Sequence, residues 1–332
     1  MRPTTTQDLV DQVRSQIDED NVVGIRTLTD IIPALNRGQD HACEILAHHY
    51  PDPLIRKFEF PLLPNVEYYP IPEDAMGDRV NKMETLIPGF PADLKRVAYN
   101  QMSEYETLGV VPIPYGYCIV GRQVRIGPKP SGTYSARMWY VRQPQPLVLP
   151  WGRITRLDPA NHYLVVDSLG DSEGGAPTTN IDDLTSYFNI IDAQTGEIKG
   201  TFQVRTITGN RIDIKTTPDP NRLVVWNNPV ATDMSVSIGD NVTAPAIDDY
   251  ICPVDGTCVP LLKNPFANFF IQFAVAAMRR KLGDATGLEE NVLATFEKEV
   301  KSTWAGREHA QRVLKKSQYL SLPFRRYITG TR

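Results

Sequence analysis

The sequence predicts an α+β fold: a helical bundle made from N- and C-terminal helices, a β-meander core, an inserted small β-sandwich or barrel, and an extended C-terminal tail. Three observations predict it. Near both ends apolar residues recur every three or four positions, the spacing of one helix face. Between the ends the pattern shortens to alternating runs, the period of half-buried strands. The 27 prolines and 22 glycines are spread along the 332 residues, which suits many turns between short strands better than one disordered tract.

A chain of 332 residues buries a core large enough for two or three domains, so stability demands no disulfide or metal staple and no cofactor is expected. With 35 basic and 39 acidic residues the formal charge is only −4, so no global field recruits nucleic acid or anionic lipid. No apolar run reaches the roughly 20 residues that span a bilayer, so no membrane partner is expected. The opening MRPTTTQDLV lacks a signal peptide's apolar segment, and a cytosolic start follows as the expectation. The four cysteines read as reduced, partly buried thiols.

Taken in order, Thr4 and Gln7 have capping-box spacing, and Leu9, Val10, Val13 and Ile17 then form one stripe of a first helix ending near Asp18. A second helix is expected from Asp30, with Pro33 tolerated in its first turn and Leu35, Ala42, Ile45 and Leu46 on one side, stopping before Pro51. Phe58 to Phe60 and Val66 to Tyr69 read as two strands joined hairpin-like across residues 61–65, and residues 80–86 as another strand. Residues 91–115 read as mixed loop with a helical turn at 93–99. In residues 117–146, Gly121 and Arg122 turn one strand into the next, and Met138 to Val141 offers a third, so a three-stranded meander is expected.

Beyond Pro146 a second β-rich region begins. Residues 201–208 alternate, Gly209-Asn210 suits a two-residue primed turn, and residues 211–215 alternate back. Residues 188–191, 223–226 and 234–238 are further strand candidates, and the polar stretch 158–185 reads as a long surface loop. Helix returns with Asn264 as cap and Pro265 in first position, followed by Phe266, Phe269, Phe270 and Phe273 on a face that must be buried. Gly283 ends it. A longer helix from Leu288 carries Val292, Phe296, Val300 and Trp304, weakened by roughly 1 kcal/mol at Gly306. The domains are then 1–53 with 262–317 as a helical unit, 54–146 as the meander region, 147–261 as the insertion and 318–332 as the tail.

The motifs that could carry chemistry fall short. Gly170-Asp171-Ser172-Glu173 superficially resembles a serine-protease nucleophile loop, but Glu173 interrupts it and His41, His48 and His49 sit in or beside a predicted helix. His41, Glu44, His48 and His49 include metal donors, without the repeated spacing of a metal site. Asp167, Asp171 and Glu173 lack the alternation of a calcium loop. Cys252 and Cys258 flank an Asp255-Gly256 turn that brings their thiols near, as a free pair or as a disulfide formed outside the cell. No phosphate loop or dinucleotide fingerprint occurs. No catalytic, cofactor-binding or metal-binding residue is predicted, and an enzyme is not expected.

The spacing of Tyr117, Gly121 and Pro128, the helical segment Ile31-Ile32-Pro33-Ala34-Leu35-Asn36-Arg37-Gly38, and the step Tyr68-Tyr69-Pro70-Ile71-Pro72-Glu73-Asp74 resemble the head-to-tail adaptor (connector) proteins of tailed bacteriophages. The resemblance covers about residues 5–145 and 262–332. It implies a structural protein of the virion neck, made in the host cytoplasm. There it forms a homo-oligomeric ring, by analogy a dodecamer, that joins the portal to the tail or tail nozzle and lines the DNA channel, touching DNA without sequence preference. From Arg312 onward the chain has basic but no acidic side chains, and its end is rich in aromatics and arginines, the residue types of interface hot spots. The resemblance gives that tail the portal-docking role, which falls on Tyr319, Leu320, Leu322, Phe324, Arg325, Arg326 and Tyr327. The alternative is another virion ring component: a tail completion, tail tube or baseplate protein.

Overall fold

Helix α1 (Thr6–Ile17) is capped one residue later than the Thr4 and Gln7 spacing predicts. The computed structural model describes residues 4–17, 25–87, 90–102, 104, 110–111, 113–158, 161–167, 187–214, 245–253, 256–262, 266–283 and 287–305. In it the Thr5 hydroxyl accepts the Asp8 N–H at 3.2 Å, and the Asp8 carboxylate accepts the Thr5 N–H and hydroxyl at 2.8 Å each. Gln7 instead donates to Asp11 at 2.8 Å, so the shorter, acidic side chain takes the cap.

A π-helical turn at Thr27–Ile31 leads directly into α2 (Ile32–His49), with Asp30 accepting the Arg26 N–H at 2.8 Å. The phenylalanine stripe lies on α3 (Ala267–Lys281), where Phe269, Phe270 and Phe273 are buried. Leu9, Val10 and Val13 of α1 and Leu35, Ala42 and Leu46 of α2 meet that stripe in one apolar cluster. A Cβ at Gly38 would sit 3.1 Å from the Phe273 ring, so the glycine sets how closely α2 and α3 approach. Gly283, at φ +94, ends α3 as expected. On α4 (Leu288–Glu299), Phe296 stacks on Phe269 at 4.1 Å, and a second π-helical turn, Val300–Ala305, follows. The expected Asn264 cap, Pro265 and Gly306 lie outside the described residues, as does the side chain of Trp304.

The strands run in order as β1 (Ile55–Leu62), β2 (Tyr68–Pro70), β3 (Ala75–Ile87), β4 (Phe90–Arg96), β5 (Val110–Val111), β6 (Gly116–Val120), β7 (Gln123–Gly127), β8 (Lys129–Pro130) and β9 (Tyr134–Arg142). Seven of them form one sheet in the order β1-β9-β3-β4-β6-β7-β2, and β5 pairs with β8 apart from it. Three expectations are corrected here. The β1/β2 hairpin does not form: β1 pairs with β9 over its whole length, β2 pairs with β7, and the two are opposite edges of the sheet. The nine-residue β9 offers β1 a full ladder where β2 offers three residues. The two edges meet through side chains: the Phe60 and Tyr69 rings lie 5.3 Å apart, and the Tyr69 hydroxyl accepts the Leu63 N–H at 2.9 Å.

The three-stranded meander does not form either. The β6–β7 hairpin is present, turned at Gly121 with φ +60, but β9 crosses to lie between β1 and β3. Ala136, Met138 and Tyr140 are buried, and the sheet's middle gives them apolar neighbours on both sides that its edge would not. Residues 90–96 are strand, not loop or helical turn: β4 pairs with β3, Leu94 opposite Met83, and a 3-10 turn follows at Tyr99–Gln101.

The next six strands, β10 (Gly152–Asp158), β11 (Tyr163–Val166), β12 (Tyr187–Ile191), β13 (Ile198–Thr208), β14 (Arg211–Ile214) and β15 (Tyr250–Pro253), close into a barrel in the order β10-β11-β14-β13-β12-β15. The β13–β14 hairpin turns at Gly209, φ +60, with Thr208 opposite Arg211. Strand β11 falls inside the stretch read as surface loop. Its Leu164 and Val166 are buried in the barrel with Phe188, Phe202 and Ile251, a four-residue strand hidden in polar surroundings. The strand candidates at 223–226 and 234–238 lie outside the described residues. The described fold is mixed α+β.

Candidate assembly interface

The chain crosses between the sheet and the barrel after β9 and leaves the barrel after β15, and α2 grips both crossings. Asn36 accepts the Leu147 N–H at 2.6 Å and donates to the Leu147 carbonyl at 3.2 Å. One turn on, Gln39 donates to the Gln145 carbonyl at 3.0 Å on the outgoing crossing and accepts the Leu261 N–H at 3.2 Å on the returning one. The crossings also hold each other: the Val148 N–H donates to Thr257 at 3.0 Å and the Thr257 N–H to Pro146 at 2.9 Å. A Cβ at Gly256 would come within 2.5 Å of Val148 and 3.0 Å of the Pro146 carbonyl, so the close approach requires glycine. The Thr6 N–H adds a bond of 2.7 Å to the Cys258 carbonyl. Short bonds from α1 and α2 thus hold the barrel against these helices.

A polar joint lies where the sheet meets the barrel. Asp74 is buried; it accepts the Tyr140 hydroxyl at 2.6 Å and the Arg56 guanidinium at 3.1 Å, and its carbonyl accepts the Gln143 N–H at 2.7 Å. Burial, then the charge of Asp74, pushes the Tyr140 hydroxyl far above the usual phenol range, so it stays a donor. Burial and the neighbouring Arg56 depress Arg142, while Glu197, from the turn before β13, and Asp74 oppose that shift. Glu197 also favours the charged form of Arg56.

The other face of β1, β9, β3 and β4 is a ladder of charge. Arg137 reaches Glu59 at 2.6 Å and Glu84 at 3.8 Å, while Lys82 bridges Glu84 at 2.5 Å and Asp93 at 2.9 Å. Lys57 meets Glu59 at 3.0 Å, and hydrogen bonds from Lys57 and Arg137 hold the Glu59 carboxyl below its usual range. Trp139 sits half-buried between the Lys82 ammonium and the Arg137 guanidinium, each 5.5 Å from its ring. The cations and anions of these contacts match in number, so the ladder is internally paired.

The predicted portal-binding residues Tyr319, Leu320, Leu322, Phe324, Arg325, Arg326 and Tyr327 lie outside the described residues, as do Asp171, Ser172 and Glu173. The α2 histidines take helix contacts: His41 lies 3.8 Å from Glu44, and His49 lies 3.4 Å from Glu297 of α4. Among the described residues no group of three or more His, Cys, Asp or Glu side chains could hold a metal ion. Cys252 and Cys258 lie in one small buried cluster as free thiols, and burial pushes Cys252 well up. Asn36 and Gln39 were not singled out from the sequence. Their signal was polarity beside an apolar stripe: Gln39 is buried between Leu35 and Ala42.

A model of the SU10 adaptor protein family matches residues 4–170, half of the 332-residue chain. The chain belongs to the SU10 adaptor protein family. It is a phage adaptor, a structural component of the virion that works with portal and tail proteins. The matched stretch spans α1, α2, the whole sheet and the barrel strands β10 and β11. It therefore runs past Pro146 into the region that the sequence reading set apart, while residues 262–332 fall outside it. Comparison with curated proteins gave no match. No helix among the adaptor's described residues is long and apolar enough to cross a membrane.

Proposed function

We propose that this adaptor forms a homo-oligomeric ring in the virion neck, a dodecamer matched to the portal, with the tail or tail nozzle on its far side and DNA passing through the channel without sequence-specific contact. The family match over residues 4–170 carries this reading. In it, the terminal helices and the sheet are the working body of each subunit, and the barrel is a fixed appendage meeting a further neck protein. The grip of Asn36 and Gln39 supports that role, since an appendage that must bear load at a junction has to be fixed at both chain crossings. Residues 318–332 dock on the portal through Tyr319, Leu320, Leu322, Phe324, Arg325, Arg326 and Tyr327, whose aromatic and arginine content suits a buried hot spot. Deleting 318–332 tests the docking: the truncated chain is expected to melt like the full chain and to lose portal binding in a pull-down with assembled portal. Undiminished binding would remove the tail from the mechanism. Native mass spectrometry of the portal complex tests the stoichiometry.

A further inference from the structure

Among the described residues strand β1 pairs with another strand on one side only. Its inner edge is paired with β9 from Ile55 to Leu62, and among the described residues no main-chain hydrogen bond reaches its outer edge from another strand. Pro61 fixes which groups face outward. A proline has no N–H to give, so within the β1–β9 ladder its nitrogen must point away from β9, and by the two-residue period those of Ile55, Lys57 and Glu59 do the same. The Ile55 N–H is already bonded to the Asp52 carbonyl. The outward donors left for a partner are Lys57 and Glu59.

We propose that a second copy of this chain docks on that edge, the two β1 strands pairing antiparallel about Phe58 in a two-fold dimer. In that register Lys57 lies opposite Glu59 of the other copy and Glu59 opposite Lys57. Each couple exchanges both main-chain bonds and sets opposite charges side by side. Pro61 falls opposite Ile55, so the ladder ends where both donors run out. Neighbouring registers fail on the same residues: centring on Lys57 or Glu59 places like charges opposite, and centring on Phe60 sets Glu59 against the donorless Pro61. Phe58 and Phe60, half-buried and stacked at 5.4 Å on the core-side face of this edge, gain cover from the same rings of the second copy. Lysine and proline normally protect an edge strand from indiscriminate pairing. Here they admit one self-complementary alignment. The contact goes beyond the ring reading, because a two-fold contact cannot by itself close a ring of head-to-tail subunits.

Sedimentation equilibrium of the purified full-length chain, without portal, tests the proposal. The wild type is expected to show a monomer–dimer equilibrium. Lys57→Glu, which opposes glutamates across the two-fold, and Lys57→Pro, which removes an outward N–H that pairs with none of the described residues, are each expected to raise the dimer Kd roughly tenfold or more, while Lys57→Arg leaves it nearly unchanged. Unaltered melting of the variants shows that the monomer is intact. As a second reading, Phe58→Cys places two thiols opposite each other and is expected to give a disulfide-linked dimer under mild oxidation. A chain that stays monomeric at the highest soluble concentration, a dimer indifferent to Lys57→Glu and Lys57→Pro, or a Phe58→Cys variant that does not cross-link overturns it. Larger rings insensitive to Lys57 substitution, with no dimer, would overturn the edge pairing and leave the ring reading standing.

Discussion

Asn36 holds Leu147 by both of its main-chain groups, accepting the N–H at 2.6 Å and donating to the carbonyl at 3.2 Å across 111 residues of sequence. A side-chain amide carries an acceptor and a donor on adjacent atoms, so one asparagine can satisfy a peptide N–H and C=O together. Asn36→Leu keeps the branched shape of the side chain and removes both hydrogen-bonding groups. It is expected to cost about 2 kcal/mol in urea denaturation, from two partly buried polar groups left unmet. A loss below about 0.5 kcal/mol would mean that water replaces the amide.

Gly256 lies between the crossings, where an added methyl would overlap Val148 at 2.5 Å and press on the Pro146 carbonyl at 3.0 Å. Gly256→Ala is expected to destabilise by about 1–3 kcal/mol, the range for overpacking a close contact, with the clash taken up by separation of the two crossings. Amide hydrogen exchange at Val148 and Thr257 should rise in the variant before that in β3 does.

Tyr140 gives its hydroxyl to buried Asp74 at 2.6 Å. Tyr140→Phe preserves the ring and takes the donor from a carboxylate that is 6% exposed, at an expected cost of about 1.5–3 kcal/mol. A melt indistinguishable from wild type would show that Asp74 finds another donor in the folded state.

Lys199 is 6% exposed and lies 2.9 Å from both Asp192 and Asp249. Lys199→Met leaves two carboxylates facing each other without a cation and is expected to cost about 3–5 kcal/mol. That penalty should shrink on acidification as the Asp192 carboxylate takes up a proton.

The same cluster gives the barrel an acid dependence. Burial pushes the Asp192 carboxyl up, but the Thr195 and Gln194 N–H groups and the Lys199 ammonium outweigh it and hold the carboxyl well below the usual carboxylate range. Its folded pKa lies below its unfolded one. The stability it contributes is therefore complete above about pH 4, the ordinary aspartate range, and is lost as the pH falls through the folded value. Urea midpoints measured from pH 6 down to pH 2 are expected to fall less steeply for Asp192→Asn than for the wild type. Equal slopes would assign the acid sensitivity to other groups.

Local elements were legible in the sequence where one signal sufficed. The α3 phenylalanines have helical spacing whatever they meet, and Gly121 and Gly209 take positive φ at the turns where they were expected. Strand partners were not legible. Alternation in Phe58 to Phe60 reports that one side is buried, but a hairpin with nearby β2 and a ladder with β9 leave the same pattern. Strand β4 was missed because Asp93 and Lys95 face outward on either side of buried Leu94. The grip on the barrel was missed because a lone glutamine on an apolar stripe has no local partner, and its two partners lie 106 and 222 residues away.

By itself, then, the sequence determined where the terminal helices lie, that Gly121 and Gly209 turn the chain, and that sheet is enclosed between helical ends, because backbone preference and burial period act within a few residues. Tertiary structure alone decided that β9 sits between β1 and β3, that six strands close into a barrel, and that Asn36 and Gln39 seat it. Those outcomes depend on satisfying buried main-chain groups between segments far apart in the chain, and such groups are the same in every residue until the fold brings them together.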